Sequence, residues 1–519
     1  MIYLIYFNDT HSPKVCCEIG VCASLLKEKY KDVVIKNITD LNFESELKKL
    51  NSSNPILIVL FVREIFYDIS RKFIQNLTND VAHICIAYTL PNVHREKVIL
   101  DNERIDSIIY GEMENTLCEL CERLYNGGTL DGCSGLIYRN KSQIVINQPR
   151  DLEENLDRFP FADRDSFPLD NKIYYINGPR GCEGKCSFCE TQREFNRERV
   201  HRFRSVKNIV SEIENLVTHY KCKYIGFSDS SFCGVMKSES GYQRLQSLYE
   251  ELEAKKWRVE FSFNMRAEQI DKQSMALLKK LNQVGLGKIF IGIESFVPKD
   301  IFLYGKMASV KDNYKAVDLL KQSYDNYCSF LGFDYGFINF NPYTTFDDIY
   351  HNTNTLYTLG LPITSSTLLR RVSLKYETLL YNKVLQDGYC DASVCISKKS
   401  VKYTYEDNKI RAFYDYLASE FERVPVILYD NIYSLLNRYM YYSKDYQFGH
   451  ELYAKYIDME TIYSNCCYEV FMNVYNHFLG RKVANNDRDE LVASLKHSED
   501  NFKKSYNRML VELIKLHEV

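Results

Sequence analysis

Short apolar runs alternate with helical patterns through the first quarter of the chain. Apolar, β-branched stretches occur at 2–7, 32–38, 55–62, 83–88 and 105–111. Polar and apolar positions follow a helical period at 15–30 and 114–126. Short buried runs separated by helices are typical of a parallel sheet covered on both faces. The pattern therefore predicts a Rossmann-like α/β domain over residues 1–127.

Residues 128–170 break this alternation. The segment begins with a turn and a small hairpin, and it continues as the acidic, proline-punctuated stretch DLEENLDRFPFADRDSFPLD. Such a composition is typical of a connecting segment that lies over a surface. We therefore interpret 128–170 as a connector between two domains.

The alternation of strands and helices restarts at residue 171. Predicted strands lie at 173–177, 223–228, 258–264, 287–293, 330–340 and 365–373. Predicted helices lie at 205–220, 241–256, 271–283, 309–323 and 345–358. Six strand–helix units in one run predict a partial (β/α)6 barrel of TIM type over 171–390. Residues 391–519 are rich in tyrosine and show helix-period apolar faces, which predicts a C-terminal helical domain.

Composition and charge narrow the class of protein. The chain has 519 residues, of which 45% are hydrophobic and 26% charged, and its formal net charge is −3. This length predicts several domains, and this charge gives no reason to expect nucleic acid or an anionic membrane as a partner. The N-terminus lacks a signal-peptide pattern, and no apolar run reaches the length of a membrane span. The sequence therefore predicts a cytoplasmic protein.

Three of the 17 cysteines, Cys182, Cys186 and Cys189, stand together in the stretch RGCEGKCSFCE. Cytosolic cysteines are mostly reduced, and the odd count argues against a disulfide framework. The stretch follows the first predicted barrel strand, at the face where barrel enzymes build their active sites. A structural zinc site needs four ligands, whereas a loop of three thiolates suits a [4Fe–4S] cluster with one open iron. Zinc and three unrelated thiols remain as alternatives.

With these cysteines the chain resembles the radical S-adenosylmethionine enzymes. Their signature is C-x3-C-x2-C with an aromatic residue before the last cysteine, here Phe188. The resemblance implies that the three cysteines hold a [4Fe–4S] cluster whose open iron binds S-adenosylmethionine. In that family the reduced cluster cleaves the cofactor to a 5′-deoxyadenosyl radical, which abstracts a substrate hydrogen. The resemblance also implies a reductant of the flavodoxin or ferredoxin type as a partner.

Four further segments are similar to strand ends of that family's barrel. They are YIGFSDSSF (224–232), FNMRAEQID (263–271), IFIGIESF (289–296) and GFINFNPYTTFDDI (336–349). By this resemblance, five residues are expected to contribute to the S-adenosylmethionine pocket: Phe188 through its backbone, Ser228, Arg266, Glu294 and Ile338.

The chain is more similar to one branch of the family, the enzymes with an N-terminal cobalamin (B12)-binding-type domain. YGEMENTLCEL (110–120) resembles the turn that closes this domain in the branch. The segment 134–165 resembles its connector, and YETLLYNKVLQDGY (376–389) is similar to its post-barrel segment. The resemblance covers about residues 1–390 and leaves the C-terminal tail without a match.

Glycine is scarce where that branch holds cobalamin in glycine-rich loops at strand ends. TLPNVHREK follows the fourth predicted strand, and REIFYD follows the third. Side chains at these places are expected to crowd a corrin ring, so we expect a domain that has kept its fold and lost its cofactor. His11, in the first loop, is a candidate axial ligand, although a lone histidine in such a loop is more often solvated.

Without cobalamin, the radical is expected to epimerise or rearrange its substrate, and a ribosomally made precursor peptide is favoured over a small molecule. Epimerisation needs a hydrogen donor, and a cysteine thiol suits this role because its S–H bond is weak. The candidates are Cys328, Cys390 and Cys395; Cys390 is preferred because it follows the last barrel segment. The alternative is a cobalamin-dependent C-methyltransferase. A non-catalytic iron–sulfur scaffold is disfavoured by the intact segments around Arg266 and Glu294.

Overall fold

The computed structural model of the protein describes most of the chain. It covers residues 1–8, 17–78, 82–166, 173–191, 201–235, 239–322, 331–392, 396, 400–422, 424, 436, 439, 443, 445–481 and 488–515. The chain forms an N-terminal α/β domain, a partial parallel barrel and a set of C-terminal helices. This is the predicted fold class.

A seven-stranded sheet forms the N-terminal domain. Its strands are β1 (Ile2–Phe7), β2 (Val33–Ile38), β3 (Leu57–Phe61), β4 (His83–Ala87), β5 (Ser107–Ile109), β6 (Leu136–Asn140) and β7 (Gln143–Ile146). The helices that accompany them are α1 (Cys17–Lys27), α2 (Phe43–Asn51), α3 (Tyr67–Gln75), α4 (Thr89–Leu100) and α5 (Met113–Tyr125). Alternate residues of β1 enter two separate apolar cores, which is why its sequence is apolar throughout.

The strand order of this sheet is β2-β1-β3-β4-β5-β6-β7. Strands β1 to β5 run parallel, and the hairpin β6–β7, predicted as part of the connector, extends the sheet with antiparallel pairing. The order 2-1-3-4-5 reverses direction between β1 and β3. In open α/β sheets ligands bind beyond the carboxyl ends of the strands at such a reversal.

Five parallel strands form the described part of the barrel, in the order β14-β13-β12-β11-β8. They are β8 (Ile173–Ile176), β11 (Tyr224–Phe227), β12 (Glu260–Arg266), β13 (Leu286–Glu294) and β14 (Gly332–Phe337), and a small antiparallel pair, β9 (Pro179–Arg180) and β10 (Arg202–Phe203), follows β8. The accompanying helices are α6 (Val206–Thr218), α7 (Glu239–Glu253), α8 (Lys272–Gln283), α9 (Pro298–Leu303), α10 (Val310–Lys321) and α11 (Phe346–Thr358).

The sixth predicted strand, 365–373, is a short helix instead, α12 (Ser365–Leu368). Thr364 caps this helix, because its hydroxyl accepts a hydrogen bond of 3.0 Å from the Thr367 amide. A threonine cap competes with the extended conformation that the apolar pattern favours. Pairing at the sixth position is reduced to a single β-bridge between Phe340 and Arg371.

Strand β13 shows how the barrel presents its inner face. Ile289, Ile291 and Ile293 are fully buried in the core shared with the helices. Side chains alternate between the two faces of a strand, so Phe290 and Glu294 lie on the opposite, inner face.

The C-terminal helices are α13 (Leu379–Gln386), α14 (Asn408–Phe421), α15 (Tyr446–Phe478) and α16 (Arg488–Lys515). Phe413 packs against Phe346 of the barrel and Phe471 of α15. Tyr357 and Tyr468 stack with ring centroids 3.8 Å apart. Aromatic residues therefore join the predicted helical domain to the barrel. Within the described ranges no helix is both long enough and apolar enough to cross a membrane.

Candidate active site

The loop that carries the three cysteines is fixed at its centre by backbone hydrogen bonds. The Ser187 amide donates to the Tyr304 carbonyl at 2.7 Å, and its hydroxyl donates to the Leu303 carbonyl at 2.7 Å. The Leu380 amide donates to the Ser187 carbonyl at 2.8 Å. The loop is thus held between the end of α9 and the start of α13, which fixes the direction of the neighbouring cysteines.

Gly184 gives the thiols their room. A Cβ at this position would lie 3.2 Å from Cys182 Sγ and 3.9 Å from Cys186 Sγ, so a larger residue would push the Cys182 thiol aside by a few tenths of an ångström. Cys182, Cys186 and Cys189 are all partly exposed. Burial raises the pKa of Cys186 to about 11, although nearby Lys306 opposes this. A bound metal offsets such a penalty, because the thiolate is the form that ligates.

The donor set fits a cluster better than a single metal ion. Across the part of the chain that the structure describes, no three His, Cys, Asp or Glu side chains converge on one metal position, as a zinc site requires. An iron–sulfur cluster instead takes its thiolates on separate irons. Three thiols on one short loop with a glycine between them suit this arrangement.

Arg266 lies beside the cysteine loop, and its place in an S-adenosylmethionine pocket stays a prediction. Its Nη1 is 2.6 Å from Glu183 Oε2 and 3.8 Å from Cys182 Sγ, and its Nε is 2.6 Å from Glu268 Oε1. His201 Nδ1 lies 2.8 Å from the other oxygen of Glu183. Burial alone would raise the pKa of Glu183, but His201 and Arg266 lower it to about 2. Sequence reasoning missed Glu183 and His201; the position of Glu183 inside the cysteine motif was the available signal.

Glu294 and Ile338, both predicted pocket residues, are brought together at the ends of β13 and β14. The Ile338 amide donates to the Glu294 carbonyl at 2.7 Å. Glu294 adopts a φ of 67°, a strained conformation that marks functional sites when the surrounding structure enforces it. Lys306, which sequence reasoning missed, lies 3.5 Å from the Glu294 carboxylate and donates to the Gly292 carbonyl at 3.0 Å.

The remaining predicted residues have contacts of their own at the end of β11, beside Tyr304 and beside the apolar core. The Ser228 amide donates to the Ile176 carbonyl at 3.0 Å, which places Ser228 at the end of β11. The Phe188 ring packs edge-on against Tyr304. Cys390 is partly exposed beside the apolar core, and burial raises its pKa; its role as a hydrogen donor stays a prediction. His11, Cys328 and Cys395 lie outside the described residues.

A cavity of about 490 Å³ opens where the N-terminal sheet meets the barrel. Tyr6 and Phe61 line it from the ends of β1 and β3, on either side of the strand-order reversal, and Asn177 and Gly181 line it from the barrel. This volume lies within the range of about 300–1,000 Å³ typical of cofactor sites. Arg63 and Thr89, from the two segments expected to crowd a corrin ring, line the cavity, and Tyr88 lines it beside them.

Asp229, which follows Ser228, places a buried carboxyl group on the wall of this cavity. Its Oδ1 accepts a hydrogen bond of 2.9 Å from the Gly178 amide, while Oδ2 has no partner among the described residues. Burial raises the pKa of Asp229 to about 8, against the opposing effect of Arg244 and Arg204. At neutral pH this carboxyl therefore keeps its proton and acts as a hydrogen-bond donor.

Comparisons with known proteins agree with the site. Residues 176–341 match the family model of the radical SAM superfamily. An uncharacterized methyltransferase of Pyrococcus horikoshii is 24% identical over 316 residues, which are 59% of this chain and 66% of the relative. The chain thus spans less than two thirds of that relative's own length.

Two solved structures share the fold across the domains. The cobalamin-dependent S-adenosylmethionine radical enzyme OxsB, with aqua-cobalamin and S-adenosylmethionine bound, has a TM-score of 0.70 and 15% identity, covering 99% of this chain and 81% of OxsB. The radical S-adenosylmethionine methyltransferase TsrM of Kitasatospora setae has a TM-score of 0.66 and 14% identity, covering 83% of this chain and 91% of TsrM.

These comparisons favour the alternative function over the preferred one. The named activities are methyl transfer and cobalamin-dependent radical chemistry, and peptide epimerisation is not among them. The radical SAM fold implies a [4Fe–4S] cluster and S-adenosylmethionine, for which the cysteine loop is suited. Residues 176–341 therefore form a radical S-adenosylmethionine domain, and the fold of the chain is similar to that of cobalamin-dependent radical S-adenosylmethionine enzymes.

Proposed function

We propose that the protein is a cobalamin-dependent radical S-adenosylmethionine enzyme that transfers a methyl group to a substrate carbon. The cavity at the edge of the N-terminal sheet carries this proposal. It lies between the strand-order reversal, where such sheets bind ligands, and Gly181, the residue before the first cluster cysteine. A ligand in this cavity would stand next to the radical centre.

The residues of the chain have distinct tasks in this scheme. Cys182, Cys186 and Cys189 would hold the cluster, and Tyr6, Phe61 and Tyr88 would border cobalamin. When bound, the reduced cluster would supply one electron to split one S-adenosylmethionine into methionine and a 5′-deoxyadenosyl radical. Cobalamin would supply a methyl group taken from a second S-adenosylmethionine, which leaves as S-adenosylhomocysteine.

Ion pairs fix the two charged residues, Arg266 and Glu294, that we propose for the S-adenosylmethionine pocket. Glu183 and Glu268 fix the guanidinium of Arg266, so that it stays beside the cluster loop. The ammonium group of Lys306 balances the negative charge of the Glu294 carboxylate at the end of β13. The N-terminal domain and the C-terminal helices flank the barrel, and closure around a radical excludes water.

The comparisons support methyl transfer without fixing the substrate. The relative of Pyrococcus horikoshii and TsrM are both described as methyltransferases, and OxsB as cobalamin-dependent. We propose a precursor peptide or a small molecule as substrate, a flavodoxin- or ferredoxin-type reductant, and a cytoplasmic location.

A second candidate is cobalamin-independent hydrogen transfer, such as epimerisation with Cys390 as donor. One observation favours it: Arg63 and Thr89 line the cavity, and they belong to the two segments where the resemblance leads us to expect glycine-rich loops. Corrinoid binding separates the two candidates.

The test is corrinoid binding by the anaerobically reconstituted protein and a cavity-filling variant. Thr89 lines the cavity, so Thr89→Trp should narrow it. Thr129 is exposed after the end of α5 and is not among the lining residues, so Thr129→Trp serves as control. We expect about one hydroxocobalamin per chain in wild type and control, and at least a tenfold loss of affinity, about 1.4 kcal/mol, in Thr89→Trp. Absence of binding in the wild type, or equal binding by both variants, would contradict the proposal.

A further inference from the structure

Four buried charges join the N-terminal domain to the strand that enters the cysteine loop. Arg180, the last residue of β9, places Nη2 2.5 Å from Glu114 Oε1 and Nη1 3.2 Å from Glu112 Oε1. Arg202, in β10, places Nη2 2.5 Å from the same Glu112 oxygen. Two arginines from the barrel side thus meet two carboxylates from the start of α5.

These charges are almost completely withdrawn from solvent. The side chains of Glu114 and Arg202 are 2% and 3% exposed, and those of Glu112 and Arg180 are 10% and 14% exposed. Burial alone would raise the pKa of Glu112, but Arg202 and Arg180 lower it. Removing one partner of such a group leaves an uncompensated buried charge, which is far more costly than losing a surface ion pair. The arginines are therefore held firmly in place.

The network acts on the backbone that leads to the cluster. Arg180 and Arg202 pair across the β9–β10 ribbon, and only Gly181, with a φ of 82°, separates Arg180 from Cys182. The centre of the loop is fixed separately, through Ser187. The carboxylates of the N-terminal domain thus fix the end of the loop at which the first cluster ligand lies.

We propose that Glu112 and Glu114 are positioning residues that set the place of Cys182, so that the N-terminal domain controls the geometry of the cluster. The inference rests on the cluster site and holds whether or not cobalamin is the ligand of the cavity. Glu112, Glu114 and Arg180 also line that cavity, so a ligand bound there touches the same network. Cluster geometry and cavity occupancy are therefore linked through these side chains.

The experiment compares Glu114→Gln with Glu119→Gln in the full-length, anaerobically reconstituted protein. Glu119 lies on the same helix and also pairs with two arginines, Arg123 and Arg150. It is not among the residues that line the cavity. The readouts are iron content, the electron paramagnetic resonance spectrum of the reduced cluster with and without S-adenosylmethionine, and the Kd for S-adenosylmethionine. A merely structural role would leave the spectrum of the folded, loaded protein unchanged.

We expect Glu114→Gln to bind iron but to show an altered cluster spectrum, a weaker spectral response to S-adenosylmethionine and a roughly tenfold higher Kd. Glu119→Gln should match the wild type in all three readouts. Identical spectra and affinities in Glu114→Gln and Glu119→Gln would overturn the inference.

A second variant keeps the test decisive if Glu114→Gln does not fold. Arg180→Lys retains the charge but loses the planar fork that reaches two carboxylates, and we expect it to shift the same spectrum by a smaller amount. A wild-type spectrum in folded Arg180→Lys would count against the inference. Corrinoid content, measured on the same samples, tests the proposed function separately, because the expected spectral change does not require corrinoid.

Discussion

Replacing Asp229 by asparagine tests the electrostatics of the cavity wall. Its carboxyl is about 5% exposed, one oxygen accepts the Gly178 amide, and burial raises its pKa from 3.8 to about 8. Asparagine has nearly the same shape and cannot ionise. The variant therefore removes the titration while keeping a carbonyl for Gly178 and a donor for the cavity.

The expected effect of Asp229 on the free energy of unfolding follows from the proton that its carboxyl retains in the folded protein. Below about pH 4 the carboxyl is protonated in both the folded and the unfolded chain. Between about pH 4 and 8 the folded protein holds a proton that the unfolded chain releases, so this group lowers the free energy of unfolding by about 1.4 kcal/mol for each pH unit. At pH 7 the loss amounts to roughly 4 kcal/mol, and above pH 8 it levels off at roughly 6 kcal/mol.

The assay is an infrared pH titration of the difference between wild type and Asp229→Asn. Carboxyl groups common to both proteins cancel, which leaves the carbonyl stretch of a protonated Asp229. We expect this band to disappear with a midpoint near pH 8, and we expect hydroxocobalamin affinity to fall above that pH in the wild type but not in Asp229→Asn. Asp131→Asn, at an exposed position, is the matched control.

A midpoint near pH 4 would refute the reasoning, because it would show that Asp229 is solvated or paired with a cation. A cobalamin affinity with the same pH dependence in wild type and Asp229→Asn would show that its proton plays no part in the cavity.

Three further substitutions probe the site. Gly184→Ala should lower the iron bound per chain after reconstitution, because the added Cβ would lie 3.2 Å from Cys182 Sγ. The thermal midpoint of the apoprotein should stay unchanged, and an iron content equal to that of the wild type would contradict the role of this glycine. Tyr88→Gly should relieve about 1 kcal/mol of strain at a φ of 85° and bind hydroxocobalamin more tightly than wild type. Tyr88→Ala widens the cavity without relieving the strain, so a lower thermal midpoint in the glycine variant than in the alanine variant would contradict the strain at Tyr88. Lys306→Met should cost about 3–5 kcal/mol of stability, because it leaves Glu294 buried without its cation. The double variant Lys306→Met/Glu294→Gln should recover the thermal midpoint, and no recovery would show that the unpaired Glu294 is not the cause of the loss.

The sequence was sufficient to predict features that depend on neighbouring residues. β-branched runs predict the central strands of the N-terminal sheet, since β1, β3 and β5 are buried on both faces. The cysteine motif predicts the cluster loop because its three thiols and Gly184 lie within eight residues. The short helix at Ser365–Leu368 replaced a predicted strand because a threonine cap outweighed the apolar pattern.

Features that depend on distant contacts could not be predicted in this way. Arg266 meets Glu183 across 83 positions, and the pKa of Asp229 depends on its burial and on the Gly178 amide, 51 positions away. The expectation that side chains crowd a corrin ring stays a prediction, because residue type does not indicate where those side chains point. Tyr88 adopts a positive φ, and the direction of its side chain follows from that backbone conformation, which residue type alone does not indicate.

The products formed from S-adenosylmethionine test the central claim most directly. The anaerobically reconstituted protein is supplied with a reductant and a candidate substrate, with and without hydroxocobalamin, and 5′-deoxyadenosine and S-adenosylhomocysteine are measured together, with Cys182→Ala as control. Radical methyl transfer predicts both products in equal amounts, only with hydroxocobalamin present and not in Cys182→Ala. Formation of 5′-deoxyadenosine alone, with no response to hydroxocobalamin, would contradict methyl transfer and favour cobalamin-independent hydrogen transfer.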